Sequence, residues 1–167
     1  MPTLIKLREG RAETVADPFV NVADDEDIPH GDVIVSLARF QTDGEALMAD
    51  GRRVGVRLAA DEAPEVLAYD LPQIALVALT FPKFRDGRAY SAARVLRETL
   101  QFTGEVRAVG DVLLEQVYFM IRCGFDAFEP ADGASADQIA AAAGRYRHVY
   151  QRAADRMEPA FVERMRV

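Results

Sequence analysis

Short apolar runs recur along the chain, separated by stretches whose apolar positions fall at helical spacing. Val33-Ile34-Val35-Ser36-Leu37 and Val54-Gly55-Val56-Arg57-Leu58 are two of these runs, and Ile74 through Phe81 is the most hydrophobic. Glu105-Val106-Arg107-Ala108-Val109-Gly110 is a fourth, and Asp126-Ala127-Phe128-Glu129 a weaker fifth. Near-continuous apolar strands spaced roughly 20–30 residues apart are what a parallel sheet with helical crossovers requires.

Helical patterns fill the gaps. Asp86 is placed to cap a helix carrying Ala89, Ala92, Ala93, Leu96 and Leu100 on one face, with Gly104 just beyond it. Asp111 stands before Leu113, Leu114, Val117, Tyr118 and Ile121, and Gly124 supplies the left-handed residue that ends such a helix. Thr42-x-x-Glu45 and Ser135-x-x-Gln138 read as capping boxes. The first predicts a short helix ended by Gly51. The second predicts a long helix with Ile139, Ala142, Ala143, Tyr146, Val149, Tyr150 and Ala153 on one stripe, stopped by Pro159. Asp61 is placed to cap a short turn through Glu65-Val66-Leu67.

The first residues differ. Thr3 to Leu7 and Arg11 to Val15 flank Arg8-Glu9-Gly10, a hairpin signal. The expected architecture is one α/β domain over residues 1–167, with a mainly parallel sheet of about five βα units. An N-terminal β-hairpin precedes the sheet and a long C-terminal helix follows it. Five units suit either an open doubly wound sheet or a half-barrel resembling part of a (β/α)8 barrel. A half-barrel leaves sheet edges uncovered, which makes a homodimer the expected oligomer.

Composition narrows the class. The chain has 167 residues, 50% hydrophobic and 28% charged, which is a globular balance. No apolar run approaches the ~20 residues of a membrane span, and the N-terminus lacks a signal peptide's apolar core. The expectation is a cytoplasmic protein without membrane contact. Cys123 is the lone cysteine and His30 and His148 are the two histidines. That inventory cannot supply a structural zinc site or the four thiolates of an iron–sulfur cluster. Net charge is −7, against a nucleic-acid partner. Neither G-x-G-x-x-G after a strand nor G-x-x-x-x-G-K-[ST] occurs, so no cofactor is identified.

In either architecture, ligands bind beyond the C-terminal ends of the strands. The loop after Phe81 places Lys83, Arg85 and Arg88 there, beside Asp86 and ahead of a helix start that favours anions. Guanidinium groups offer bidentate hydrogen bonds to sulfate, phosphate or carboxylate. Arg57 and Arg107 lie inside apolar strands, where an unpaired guanidinium is costly. Each must reach a carboxylate, a strand end or a ligand. Asp111 is expected as a helix cap, with orientation of an arginine or general-base duty as the alternative. Cys123, at a helix C-terminus that disfavours a thiolate, reads as inert. His148 reads as a packing or surface residue. The run Asp24-Asp25-Glu26-Asp27 near His30 lacks the interleaved spacing of a calcium loop. Ser36 and Ser91 have no evident histidine partner for a hydrolase triad. No metal ligands are assigned.

Three blocks resemble a known family: Phe81 to Arg88, Phe102 to Val112, and Phe119 to Phe128. The family is bacterial and carries the label domain of unknown function 934. It is described as a probable oxidoreductase involved in sulfite reduction. The resemblance is specific over residues 74–130 and looser elsewhere. It implies an accessory protein of assimilatory sulfite or sulfate reduction, with a sulfite reductase or another sulfur-assimilation enzyme as partner and a small anion as ligand. It supplies no catalytic residues, so whether the chain is an enzyme stays open. The alternatives are a non-catalytic docking protein for a sulfite reductase, or an enzyme acting on an acid with a partial (β/α)8-barrel fold.

Overall fold

The computed structural model describes residues 3–165. Eight strands form one curled half-barrel sheet: β1 (Leu4–Arg8), β2 (Arg11–Val15), β3 (Val20–Asn21), β4 (Val33–Ser36), β5 (Val54–Leu58), β6 (Ile74–Phe81), β7 (Glu105–Gly110) and β8 (Ala127–Phe128). Their order is β2-β1-β8-β7-β6-β5-β4-β3. From β3 to β8 the strands are parallel and follow one another without reversal, while β1 adds antiparallel to β8 and carries the hairpin to β2.

That order decides between the two architectures. Right-handed crossovers that all advance in one direction place every helix on the same face. A doubly wound sheet reverses once and has helices on both faces. Here the helix-side face holds Val35, Val56, Val77, Leu79, Phe81, Val106 and Ala108. They pack against α1 (Leu37–Ala49), α2 (Arg88–Arg94), α3 (Val117–Cys123) and α4 (Ala136–Ala143) through Phe40, Leu47, Ala93, Met120 and Ile139, and against Leu96 in the π-helical turn Val95–Thr99 that continues α2. The opposite, concave face carries a smaller cluster of Phe19, Ile34, Leu76 and Ala78. A last short helix, α5, spans Ala160–Arg164.

Six expectations about elements need correction, and two are caps: Gly87, not Asp86, precedes α2, and Ala63, not Asp61, precedes the turn Pro64–Leu67, neither with a side-chain cap. Helix α1 begins at Leu37, five residues before Thr42, because Ser36, the last residue of β4, is its N-cap and accepts the Arg39 N–H at 3.1 Å. Thr42 lies inside the helix and donates to the Ala38 carbonyl. The two-residue strand β3 adds an edge that its exposed Val20-Asn21 gives no apolar signal for. The long C-terminal helix is absent. Ser135 and Gln138 do form the capping box, but α4 ends at Gly144. Beyond it, Tyr146 stacks edge-on to Tyr118, Arg122 grips Asp155 through both carboxylate oxygens, and Ala160 donates to the Val149 carbonyl. These tertiary contacts outweigh the helical stripe. Finally, Asp111 does not cap α3. Gln116 and Asp132 accept the Leu113 and Leu114 N–H groups that precede α3.

Arg97 ties the layers together. Its guanidinium donates to the carbonyls of Phe102, Gly104 and Gly124 and to the Asp126 carboxylate at 2.6–2.9 Å. Gly124, at φ 109° after α3, lies against the Arg97 stem.

Gly110 ends β7 at φ 92°, and a Cβ there would collide with the Phe81 carbonyl oxygen. Both the strained φ and the collision act on a Gly110→Ala variant, so it should lose about 2–3 kcal/mol in urea-induced unfolding. An unchanged midpoint would mean that the β6–β7 ends separate easily.

Candidate functional site at the strand C-termini

The five candidate cations occupy three environments. Arg57, Ala78 and Arg107 are laterally paired across β5, β6 and β7, so both arginines point to the concave face. Arg107 is fully buried and surrounded by carboxylates. Its Nη1 meets Asp17 at 2.5 Å and Glu129 at 3.0 Å, and its Nε meets Glu105 at 2.8 Å. Lys6 adds a 2.6 Å pair to Glu105. Burial alone would lower the Arg107 pKa, but the hydrogen bond of Asp17 and the charges of Glu105 and Asp17 outweigh it and raise it. Arg107 therefore satisfies the first of its alternatives, a carboxylate, and is committed to the fold.

Arg57 is different. It is half-buried and has neither an ion pair nor a hydrogen bond among the described residues. It lines a cavity of about 570 Å³ with Asn21, Ser36, Glu62, Thr80 and Glu129. These residues come from the ends of β3, β4 and β6, from just beyond β5, and from just after β8. The cavity is therefore the mouth of the half-barrel, the position where barrel-type sheets hold their ligands. A larger cavity, about 710 Å³, lies between α1 and the turn before β6, but no lysine or arginine lines it.

The basic loop is the third environment. Arg88 closes on Asp86, and the Arg88 side-chain hydrogen bond holds the Asp86 carboxyl down to about 2. Asp86 also accepts the Arg88 backbone N–H. An anion of the chain itself thus already sits at the start of α2. Lys83 and Arg85 are exposed and unpartnered among the described residues. Between them, Phe84 is fastened by its backbone. Its N–H donates to Asp111 at 2.7 Å, and its carbonyl accepts from the Gln116 side chain at 3.3 Å. That is the role of Asp111: it anchors the loop from 27 residues away.

Below the loop lies an apolar cavity of about 600 Å³ formed by Phe84, Arg85, Gly87, Tyr90, Glu115, Gln116, Phe119 and Cys123. It is separate from the mouth, so Arg57 and the loop cations do not line a common cavity. Cys123 is the last residue of α3, as its position before Gly124 implied. Burial pushes its thiol above the ordinary cysteine range. His148 pairs with Glu163 at 2.7 Å. The acidic run 24–27 forms a turn gripped by Arg39, and no group of three metal-ligating side chains occurs among the described residues.

A half-barrel of parallel strands with a polar, arginine-bearing mouth defines the class: a (β/α)-type protein whose candidate site is built from strand C-termini. The chain belongs to the bacterial proteins of unknown function grouped as DUF934, whose family model matches residues 55–161. No curated protein matches it. Among the described residues, no helix is long and apolar enough to cross a membrane.

Two measurements test this geometry. Asp111→Ala removes the acceptor of the Phe84 N–H and should cost about 1–2 kcal/mol. It should also accelerate hydrogen exchange in the Phe81–Arg88 peptide, while Asp111→Asn, which keeps an acceptor oxygen, should change it far less. Equal exchange in all three proteins would remove Asp111 as the anchor. Cys123 carries a raised pKa, so its thiolate fraction stays low until the pH exceeds the ordinary cysteine value. Iodoacetamide should then label native Cys123 at pH 7.5 much more slowly than it labels the urea-unfolded chain. Equal rates would contradict the burial.

Proposed function

We propose that the protein binds a small anionic ligand at the mouth of its half-barrel and acts as an accessory protein of sulfite or sulfate reduction. One observation carries the anion reading: Arg57 presents an unpartnered, half-buried guanidinium in the cavity at the strand C-termini. A guanidinium taken partly out of water gains from an anion that supplies paired acceptors. Thr80 and Asn21 add polar groups around it. Lys83 and Arg85, on the loop at the C-terminal end of β6, add positive potential that steers anions toward this end of the sheet. The sulfur assignment rests on the family resemblance, and sulfite and sulfate offer the paired oxygens that a guanidinium takes.

A specific observation also supports the docking alternative. Phe84 is held rigidly by Asp111 and Gln116, between two exposed cations and above an apolar cavity. A fixed aromatic flanked by cations suits an acidic partner surface such as that of a reductase.

Thermal-shift measurements separate the two. Sulfite, sulfate or phosphate at about 100 times its Kd should stabilise the protein by about 2.7 kcal/mol. Arg57→Gln should abolish that shift, and the Lys83→Ala/Arg85→Ala double variant should keep most of it. Loss of the shift only in the double variant would move the anion to the loop. No shift with any anion would end the anion reading. Docking predicts instead a salt-sensitive co-purification with a reductase that the double variant loses.

A further inference from the structure

We propose that the natural ligand of the mouth is not a bare anion but a zwitterion, a small molecule bearing an ammonium group within a few bonds of its carboxylate or sulfonate. This deepens the anion reading above and rests on it. The mouth carries charges of both signs: Arg57 is positive, and Glu62 and Glu129 are negative. Each carboxylate is oriented through one oxygen only. Glu62 accepts the Ala59 N–H through Oε2 at 2.7 Å, and Glu129 meets Arg107 Nη1 through Oε1 at 3.0 Å. The second oxygen of each has no partner among the described residues.

Arg107 does not neutralise Glu129. Lys6 and Arg107 bring two positive charges to the buried cluster, while Asp17, Glu105 and Glu129 bring three negative ones. One negative charge is left over, and Glu129 is the member that reaches the cavity. A dianion placed against Arg57 would therefore meet two carboxylates that nothing offsets. An ammonium on the same ligand turns that repulsion into charge-assisted hydrogen bonds. A divalent metal is the other cation that carboxylates hold, but two carboxylates beside an arginine form a poor site for one. No cluster of three potential ligands occurs among the described residues.

The experiment is a calorimetric comparison of matched pairs on the full chain: taurine against ethanesulfonate, and β-alanine against propionate. Each amine-bearing compound should bind about tenfold tighter than its partner, the effect of one charge-assisted hydrogen bond. Glu62→Gln removes one of the two carboxylates, so it should narrow the gap within each pair without weakening the simple acids. Arg57→Gln should remove both members of each pair. Arg57 makes no bond within the fold, so that variant should keep the native circular dichroism spectrum. If it unfolds, the Glu62→Gln comparison still decides. Ethanesulfonate and propionate binding as tightly as their amine-bearing partners, with Arg57 still required, would overturn the zwitterion and leave the anion reading intact. Binding that survives Arg57→Gln, or no binding by any of the four compounds, would overturn both.

Discussion

The buried guanidinium of Arg107 is the constraint on which the concave side of this fold depends. A half-barrel covers one face of its sheet with helices and leaves the other without a second layer. Arg107 stands in the middle of that second face with no exposure to water. Burying a lone charge there would be prohibitive, and burial with three carboxylates is tolerable only because every nitrogen finds an oxygen. The partners come from distant places. Asp17 belongs to the segment between β2 and β3, Glu105 to the start of β7, and Glu129 to the residue after β8. Meeting the demand of Arg107 therefore draws residues 16–19 across the sheet and seats Phe19 on Ile34, Leu76 and Ala78. The same demand fixes Glu129 at the rim of the mouth. Closure of the concave face and orientation of a site carboxylate are one electrostatic event.

The uninterrupted parallel order has a second consequence. A doubly wound sheet creates its ligand crevice where the strand order reverses. This sheet has no reversal, so the position it offers a ligand is the whole row of C-terminal ends, bowed into a mouth by the curl. Residues at or one step from the strand ends converge there: Ser36 from β4, Arg57 from β5 and Thr80 from β6. The basic loop leaves from the same end but turns toward α2 and α3, so its Arg85 lines another cavity. Proximity in sequence placed Lys83 and Arg85 near the site, and the direction of the loop took them away from its floor.

What could be read from the sequence divides along a physical line. Strands β4 to β8 were legible because a parallel strand buried on both faces is apolar almost throughout, and no other element of five residues looks like that. The hairpin was legible from Glu9-Gly10, whose positive φ values a tight turn requires. Arg57 and Arg107 stood out as charges in apolar strands, but only three dimensions tell them apart. The nearest acids to Arg107 in space include one 90 residues away in the chain, whereas Arg57 is bonded to no acid among the described residues. Asp111 could not be assigned for the same reason, since its acceptor role depends on Phe84 returning to it across the β6–β7 ends. The C-terminal stripe misled because apolar spacing records which residues are buried, not the backbone that buries them. Tyr146 and Val149 find contacts without a helix, and Gly144 removes the propensity that would have enforced one.

The mouth and the loop share one wall, the turn at Gly110 and Asp111. Gly110 lines the mouth, and the side chain of Asp111 fastens Phe84 above the apolar cavity. Contiguity of this kind is not coupling, which needs an element with two arrangements that both sites bias. The turn offers one arrangement here. The Asp111 N–H donates to the Phe81 carbonyl at 2.8 Å, and the Val112 N–H donates to the Gly110 carbonyl at 2.9 Å. The left-handed φ of Gly110 admits no neighbouring well for a larger residue and leaves little room for movement against Phe81. Backbone and side chain of Asp111 are both bonded, so moving Phe84 in response to a ligand in the mouth would cost those bonds. A ligand at Arg57 and a partner at Phe84 would then bind independently, each drawing on a surface organised in advance by the same short turn.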